Sequence, residues 1–277
     1  ILITMGASEG IDLALRTLVN PGEEVLVAEP SYVSYIPCIE LCGGVPVSLK
    51  LRAENKFRLT REQLEEKITE KSKVLLISYP NNPTGALYPD ELLKKIVDLA
   101  REHQLIVFAD EIYDKCLYDG VTHTSMASLA NDVLFITMNG LSKNYRSCGY
   151  RVGWMVVSGE KKYARDYIVG LDMLSSMRLC SNVPGQFAIQ TALGGYQSIN
   201  DLVAPGGRLA RQRDLAHKLL TEIPGVTCVK AKASLYMFPK LDPEIYPIQD
   251  DRQFAYELLE REKVLIVQGT GFNWIAP

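Results

Sequence analysis

Residues 73–113 read KVLLISYPNNPTGALYPDELLKKIVDLAREHQLIVFADEIY, and this stretch decides the fold. Lys73 to Tyr79 is a short apolar run closed by Pro80, which suits a buried strand ending in a turn. Pro89 and Asp90 then open a segment whose apolar positions Leu92, Leu93, Ile96, Val97 and Leu99 follow helical spacing up to about His103. Leu105 to Ala109 is again apolar throughout. Strand, helix, strand, with neither strand alternating polar and apolar, predicts a parallel sheet covered by helices on both faces.

The pattern extends in both directions. Val25–Ala28, Val133–Ile136 and Arg151–Val157 read as further strands, and Glu9–Val19, Glu160–Met177 and Val183–Leu193 as helices. Beyond them a helix runs from about Arg208 to Glu222, where Pro224-Gly225 stops it. Val226–Lys230, Leu235–Pro239 and Val264–Val267 read as strands around a helix over Asp250–Glu262. The charge run from Arg61 to Lys73 reads as a solvated helix face. The expected organisation is a large α/β domain over residues 1–200 and a smaller α+β domain over 201–277, a length that can bury a substantial core.

Composition narrows the function. With 30 Lys and Arg against 33 Asp and Glu, and no stripe of basic residues, nucleic acid is excluded as an expected partner. No apolar run approaches the roughly 20 residues of a membrane-spanning helix, so no membrane association is expected. The six cysteines show no CxxC pair and no disulfide-scaffold spacing, which reads as thiols in a reducing, cytoplasmic setting. His103, His123 and His217 are too scattered for a metal site and read as surface or helix-end residues. The chain opens at Ile1 without a methionine and stops at Pro277 just after an apolar segment, so it is expected to be a piece of something longer.

Ligands of open parallel sheets bind outside the carboxyl ends of the strands, and four polar clusters fall there. Gly6-Ala7-Ser8 precedes a helix and could present amides to an anion, or simply cap it. Asn81-Asn82-Pro83-Thr84-Gly85 is a ligand loop or a Pro/Gly turn. Asp110 is a helix cap or a charge held for a ligand. Lys143 and Arg151 sit in NGLSKNYRSCGYRVGW, residues 139–154, two cations just past an apolar run. Together they suit one molecule: Ala7, Ser8 and Arg151 would take a phosphate, Asp110 a cationic ring nitrogen, and Lys143 a carbonyl as a Schiff base. Pyridoxal 5'-phosphate has all three groups.

Ala109-Asp110-Glu111-Ile112-Tyr113, Asn82-Pro83-Thr84-Gly85 and Ser142-Lys143 followed by Gly149-Tyr150-Arg151-Val152-Gly153-Trp154 resemble the class I aminotransferases of pyridoxal-phosphate fold type I, over nearly the whole chain. Residues 170–184, 192–198 and 267–274 are similar to bacterial glutamate-pyruvate (alanine) aminotransferases, a group in which many members are labelled aspartate aminotransferase. The resemblance implies a homodimer with shared active sites, acting on amino acids and 2-oxo acids, with alanine and glutamate favoured. It implies that Lys143 is the Schiff-base lysine and proton carrier, Asp110 the acid on the pyridine nitrogen, Asn82 and Tyr113 donors to the phenolic oxygen, and Tyr32 the aromatic stacked on the ring. Ser142 would help with the phosphate, because Gly140 stands where many relatives carry Ser or Thr. Arg178 would reach across the dimer to a substrate's distal carboxylate, through an alignment that needs a one-residue gap. The resemblance also puts the family's α-carboxylate arginine and its N-terminal segment outside this chain. A C–S lyase on the same fold, or the effector-binding domain of a transcription regulator, are the rival readings.

Overall fold

The computed structural model describes residues 1–274. In chain order its elements are β1 Leu2–Thr4, α1 Ala7–Leu18, β2 Glu24–Glu29, α2 Tyr35–Leu41, β3 Val45–Lys50, α3 Arg61–Glu65, β4 Ser72–Ser78, α4 Asp90–Glu102 and β5 Ile106–Asp110. There follow β6 Phe135–Gly140, β7 Gly153–Ser158, α5 Arg165–Met177, α6 Val183–Gly194, α7 Ile199–Val203, α8 Arg208–Glu222, β8 Val226–Cys228, β9 Pro239–Leu241 and α9 Asp251–Glu262. The first seven strands form one sheet in the order β1-β7-β6-β5-β4-β2-β3. All its pairings are parallel except those made by β7, which runs against both β6 and β1.

The apolar strand runs are explained by burial on both faces. Side chains alternate along a strand, and in β4 Val74 and Leu76 join α1, α2 and α5 in one core, whereas Leu75 and Ile77 join α4 in the other. In α4, Leu93, Ile96, Val97 and Ala100 are the buried stripe, and Asp90 and Glu91 in the first turn complement the helix dipole. α3 is stopped after a single turn and a half, begun by a capping box in which Thr60 and Gln63 bond each other's backbone N–H. The charge run from Arg61 to Lys73 is thus a short helix, a turn and the start of β4 rather than one helical face.

Three further expectations change. Glu160–Ala164 is a turn and the helix starts only at Arg165; β9 lies at Pro239–Leu241 rather than Leu235–Pro239; and Val264–Val267 is an exposed coil. A strand requires a ladder partner, and Val264–Val267 has none among the described residues. β1 and β3 pass unnoticed in the sequence because one is three residues long and the other contains Pro46, tolerated because β3 is the edge of the sheet. No helix among the described residues is long and apolar enough to cross a membrane.

The sheet and the coil make opposite demands on similar side chains. Ile77→Ala, at a fully buried position of β4, is expected to cost about 2–5 kcal/mol of unfolding free energy. Leu265→Ala, at a site 77% exposed, should stay within about 0.5 kcal/mol of wild type. Urea titration of the two variants checks both values.

Candidate active site

Strand register gathers the four clusters at one edge. Ser78 at the end of β4 pairs with Asp110 at the end of β5, and Asp110 pairs with Met138 of β6. Gly140 at the end of β6 faces Gly153, the first residue of β7, and Gly153 faces Thr4, the last residue of β1. The segments that leave these positions carry Asn82, Asp110, Tyr113, Ser142, Lys143, Arg151, Ala7 and Ser8. The register thus brings the backbone of these distant segments to one edge of the sheet.

Asp110 is buried, 7% exposed, at the end of the central strand. Tyr35 donates its hydroxyl to Oδ2 at 2.7 Å, and Ile112 N–H donates to Oδ1 at 3.2 Å. Tyr35 is itself fully buried and meets Tyr32 edge to face, with centroids 5.5 Å apart. Tyr32 is thereby set one ring away from the carboxylate. Nothing local in the sequence marks Tyr35, because its partner lies 75 positions along the chain.

Asn81 and Asn82 divide their labour. Asn81 is buried and accepts from Thr84 N–H at 3.0 Å and Thr84 Oγ1–H at 2.6 Å, while its Nδ2 donates to Pro30 O at 3.3 Å. It closes the turn and ties it to the segment after β2. Asn82 is left half-buried at the site edge. Gly85 takes φ +68°, and a Cβ there would stand 2.5 Å from Ala231 Cβ and 2.6 Å from Ala233 O, so only glycine lets the later segment pass.

Tyr113 is 1% exposed, and its hydroxyl lies 2.7 Å from that of Tyr236, a residue the sequence reading passed over. Lys143 is half-buried, with Nζ 4.0 Å from Cys148 Sγ. Ser142 is buried, and its carbonyl accepts from Cys148 Sγ at 3.1 Å. Gly140, where relatives were expected to carry a hydroxyl, is pressed so close to β7 that a Cβ would fall 2.6 Å from Val152 O.

At the start of α1, Gly6 is the N-cap at φ +77° and no side chain caps the first turn, so its amides are left for another acceptor. Arg151 lies over Gly6: its guanidinium fills the space a Cβ would need, and it donates from Nη1 to Cys148 O at 2.9 Å and from Nη2 to Met5 O at 3.4 Å. Gly153 closes the other wall, with Ala7 N only 2.5 Å from where its Cβ would be. The result is a cup of backbone N–H groups and one guanidinium, the chemistry a phosphate monoester requires. A buried acid without a cation and an amine at the same edge complete the set, so the residues fit pyridoxal phosphate.

Arg178 lies elsewhere. Its Nε is 2.6 Å from Glu9 Oε1, and Nη2 donates to Ile3 O at 2.8 Å. Within this chain the guanidinium is engaged by α1 and β1, not held free toward a substrate. His123 also departs from its surface reading: its side chain is nearly buried, bonded to Glu111 at 3.1 Å and tilted against the Tyr79 ring, because Glu111 points away from Asp110 into the protein and there gathers Ser125 and Met126 N–H as well.

Burial sets the charge on Asp110. Desolvation pushes its carboxyl above the usual range, and the hydrogen bonds from Tyr35 and Ile112 N–H and the charge of Lys143 pull back. The native state thus holds this proton more tightly than the unfolded chain. Unfolding free energy should fall as pH rises from the ordinary carboxylate range through the raised native value, and should be regained below it. Asp110→Asn is expected to remove that slope and to stabilise the cofactor-free protein at neutral pH; urea unfolding of both proteins across pH 4–8 measures it.

The model of the family described as aminotransferase class I and II matches residues 1–276. The alanine aminotransferase of Mycobacterium tuberculosis is 53% identical over 272 residues, 98% of this chain and 63% of that protein. The glutamate-pyruvate aminotransferase AlaA of Escherichia coli is 52% identical over the whole chain and 68% of its own length. The chain thus spans just under two thirds of the first relative and slightly more of the second. Among solved structures, an aminotransferase from Escherichia coli superposes with a TM-score of 0.97 at 52% identity, covering 99% of this chain and 68% of that one. An alanine aminotransferase from Pyrococcus furiosus superposes at 0.91 with 35% identity, covering 98% and 68%. The chain belongs to the aminotransferase class I and II family.

Proposed function

We propose that this protein is a pyridoxal-phosphate-dependent transaminase that moves an amino group between an L-amino acid, alanine or glutamate, and pyruvate or 2-oxoglutarate. What supports the reading above all is the joining of an acid, an amine and a cup of backbone N–H groups with one guanidinium at one sheet edge. The substrate pair is supported by the names of the relatives at 52–53% identity.

The cofactor, when bound, supplies a cationic ring into which the electrons of the substrate's Cα–H bond can withdraw. The protein's own residues do the rest. Asp110 offers its charge to the ring nitrogen, and the desolvation that disfavours a lone carboxylate there is offset by a cation. Lys143 Nζ would be the amine that holds the cofactor's carbonyl carbon, and the same nitrogen is placed to serve as the base for the substrate's Cα proton. Asn82 and Tyr113 would donate to the phenolic oxygen, Tyr32 would cover the ring face, and Ala7, Ser8, Ser142 and Arg151 would hold the phosphate. The large exposed apolar side chains Met173, Met177 and Phe187 on α5 and α6 support the reading of a homodimer, since burial against a second copy would take them out of water. Six unpaired cysteines are in keeping with work in the cytoplasm.

Incubation with pyridoxal phosphate should give a visible imine band, and borohydride followed by peptide mapping should put the reduced adduct on Lys143. Alanine and glutamate should each discharge the band in a half-reaction. Lys143→Ala should form no adduct and lose roughly 10²–10⁴-fold or more in turnover. An adduct on another lysine, or none on a protein that is folded, would sink the reading.

A further inference from the structure

The cup is itself held from behind. Glu9, in the first turn of α1, accepts Met5 N–H at Oε2 at 2.6 Å and meets Arg178 Nε through Oε1 at 2.6 Å. Arg178, at the C-terminal end of α5, also donates from Nη2 to Ile3 O at 2.8 Å. One guanidinium thus grips β1 at Ile3 and, through Glu9, the peptide at Met5. Met5 immediately precedes Gly6, and its carbonyl is the one that faces Arg151. Both side chains of the pair are about four-fifths withdrawn from solvent, at 21% and 20% exposure, so neither charge is easily left alone.

We propose that the Arg178–Glu9 ion pair is a positioning device for the phosphate cup, and that Arg178 serves the cofactor's phosphate through Glu9 and Met5. The proposal rests on the cofactor reading above. Arg178 neutralises a carboxylate that stands in the same first turn of α1 as the amides of the anion site. Without it, Glu9 becomes an unpaired negative charge beside the bound phosphate, and Met5 and Gly6 lose the anchor that sets the angle of the amides. Both effects weaken a phosphate-bearing ligand and leave a phosphate-free one alone.

The test compares pyridoxal phosphate with pyridoxal, which lacks the phosphate, by absorbance titration of wild type, Arg178→Met, Arg178→Lys, Glu9→Gln and the Glu9→Gln/Arg178→Met double variant. Circular dichroism confirms that each is folded. Arg178→Met should lose roughly tenfold in affinity for pyridoxal phosphate, the size of effect outer partners have on a bound group, with pyridoxal within about twofold of wild type. The double variant should recover part of the loss because the repelling charge is gone, and Arg178→Lys should lie between. Equal weakening of both ligands, or unchanged affinity for both with a raised KM for a dicarboxylic substrate, would overturn the proposal. If wild type forms no adduct at Lys143, the cofactor reading itself has failed; if wild type binds and all variants bind alike, only the role of the ion pair has.

Discussion

A carboxylate buried at the end of the central strand is the constraint around which the rest is built. Asp110 occupies the middle of a seven-stranded sheet, where water is scarce and the charged form is penalised. One tyrosine hydroxyl, one amide N–H and the charge of Lys143 offset part of that cost. Burial also pushes the Tyr35 hydroxyl well above its ordinary value, with Asp110 adding to the effect, so Tyr35 stays the donor to Asp110. The site is thus left wanting a cation at one place, a form of preorganisation bought with stability.

Sheet topology explains why that place is reachable. From β2 the chain crosses to β3 on one side, whereas β4 lies on the other side of β2 and is followed outward by β5 and β6. The connections therefore diverge between β2 and β4, and a crevice opens at their carboxyl ends. Tyr32 follows β2 and Asn82 follows β4, one on each bank. The hydrogen bond from Asn81 to Pro30 O spans the gap below them and fixes its width.

Strands buried on both faces declare themselves as unbroken apolar runs, so β4 and β5 were legible from Lys73–Tyr79 and Leu105–Ala109 alone. So were Asp110 and Lys143, because the residue that follows such a run must sit at the sheet edge. Val264–Val267 has the same composition yet forms no strand, since a run of valine and isoleucine specifies extended backbone but not a partner. Tyr35, Tyr236 and His123 were illegible for a different reason. Each acts on a residue brought near only by the fold, and no periodicity records a contact between positions 113 and 236. The pairing of Arg178 escapes the sequence by the same limit: a cation before a helix is visible there, but its partner Glu9 is not.

The later part of the chain does more than stack beside the sheet. Lys232 and Ala233 both donate backbone N–H to Gly85 O at 3.1 Å, and Ser234 N–H reaches Cys116 O at 2.8 Å. Arg213, nearly buried, pairs with Asp119 and Asp214 and lies over the Tyr118 ring at 4.5 Å. These bonds tie residues 231–236 to both the turn that carries Asn82 and the segment that carries Tyr113. The Tyr236 hydroxyl sits at the end of that strap. Desolvation raises the Tyr113 hydroxyl far above its ordinary value and Tyr236 raises it further, so Tyr113 stays protonated at any working pH. Burial first and Tyr236 second thus keep the Tyr113 hydroxyl a proton carrier at the edge of the site, and the second of these comes from the far end of the chain.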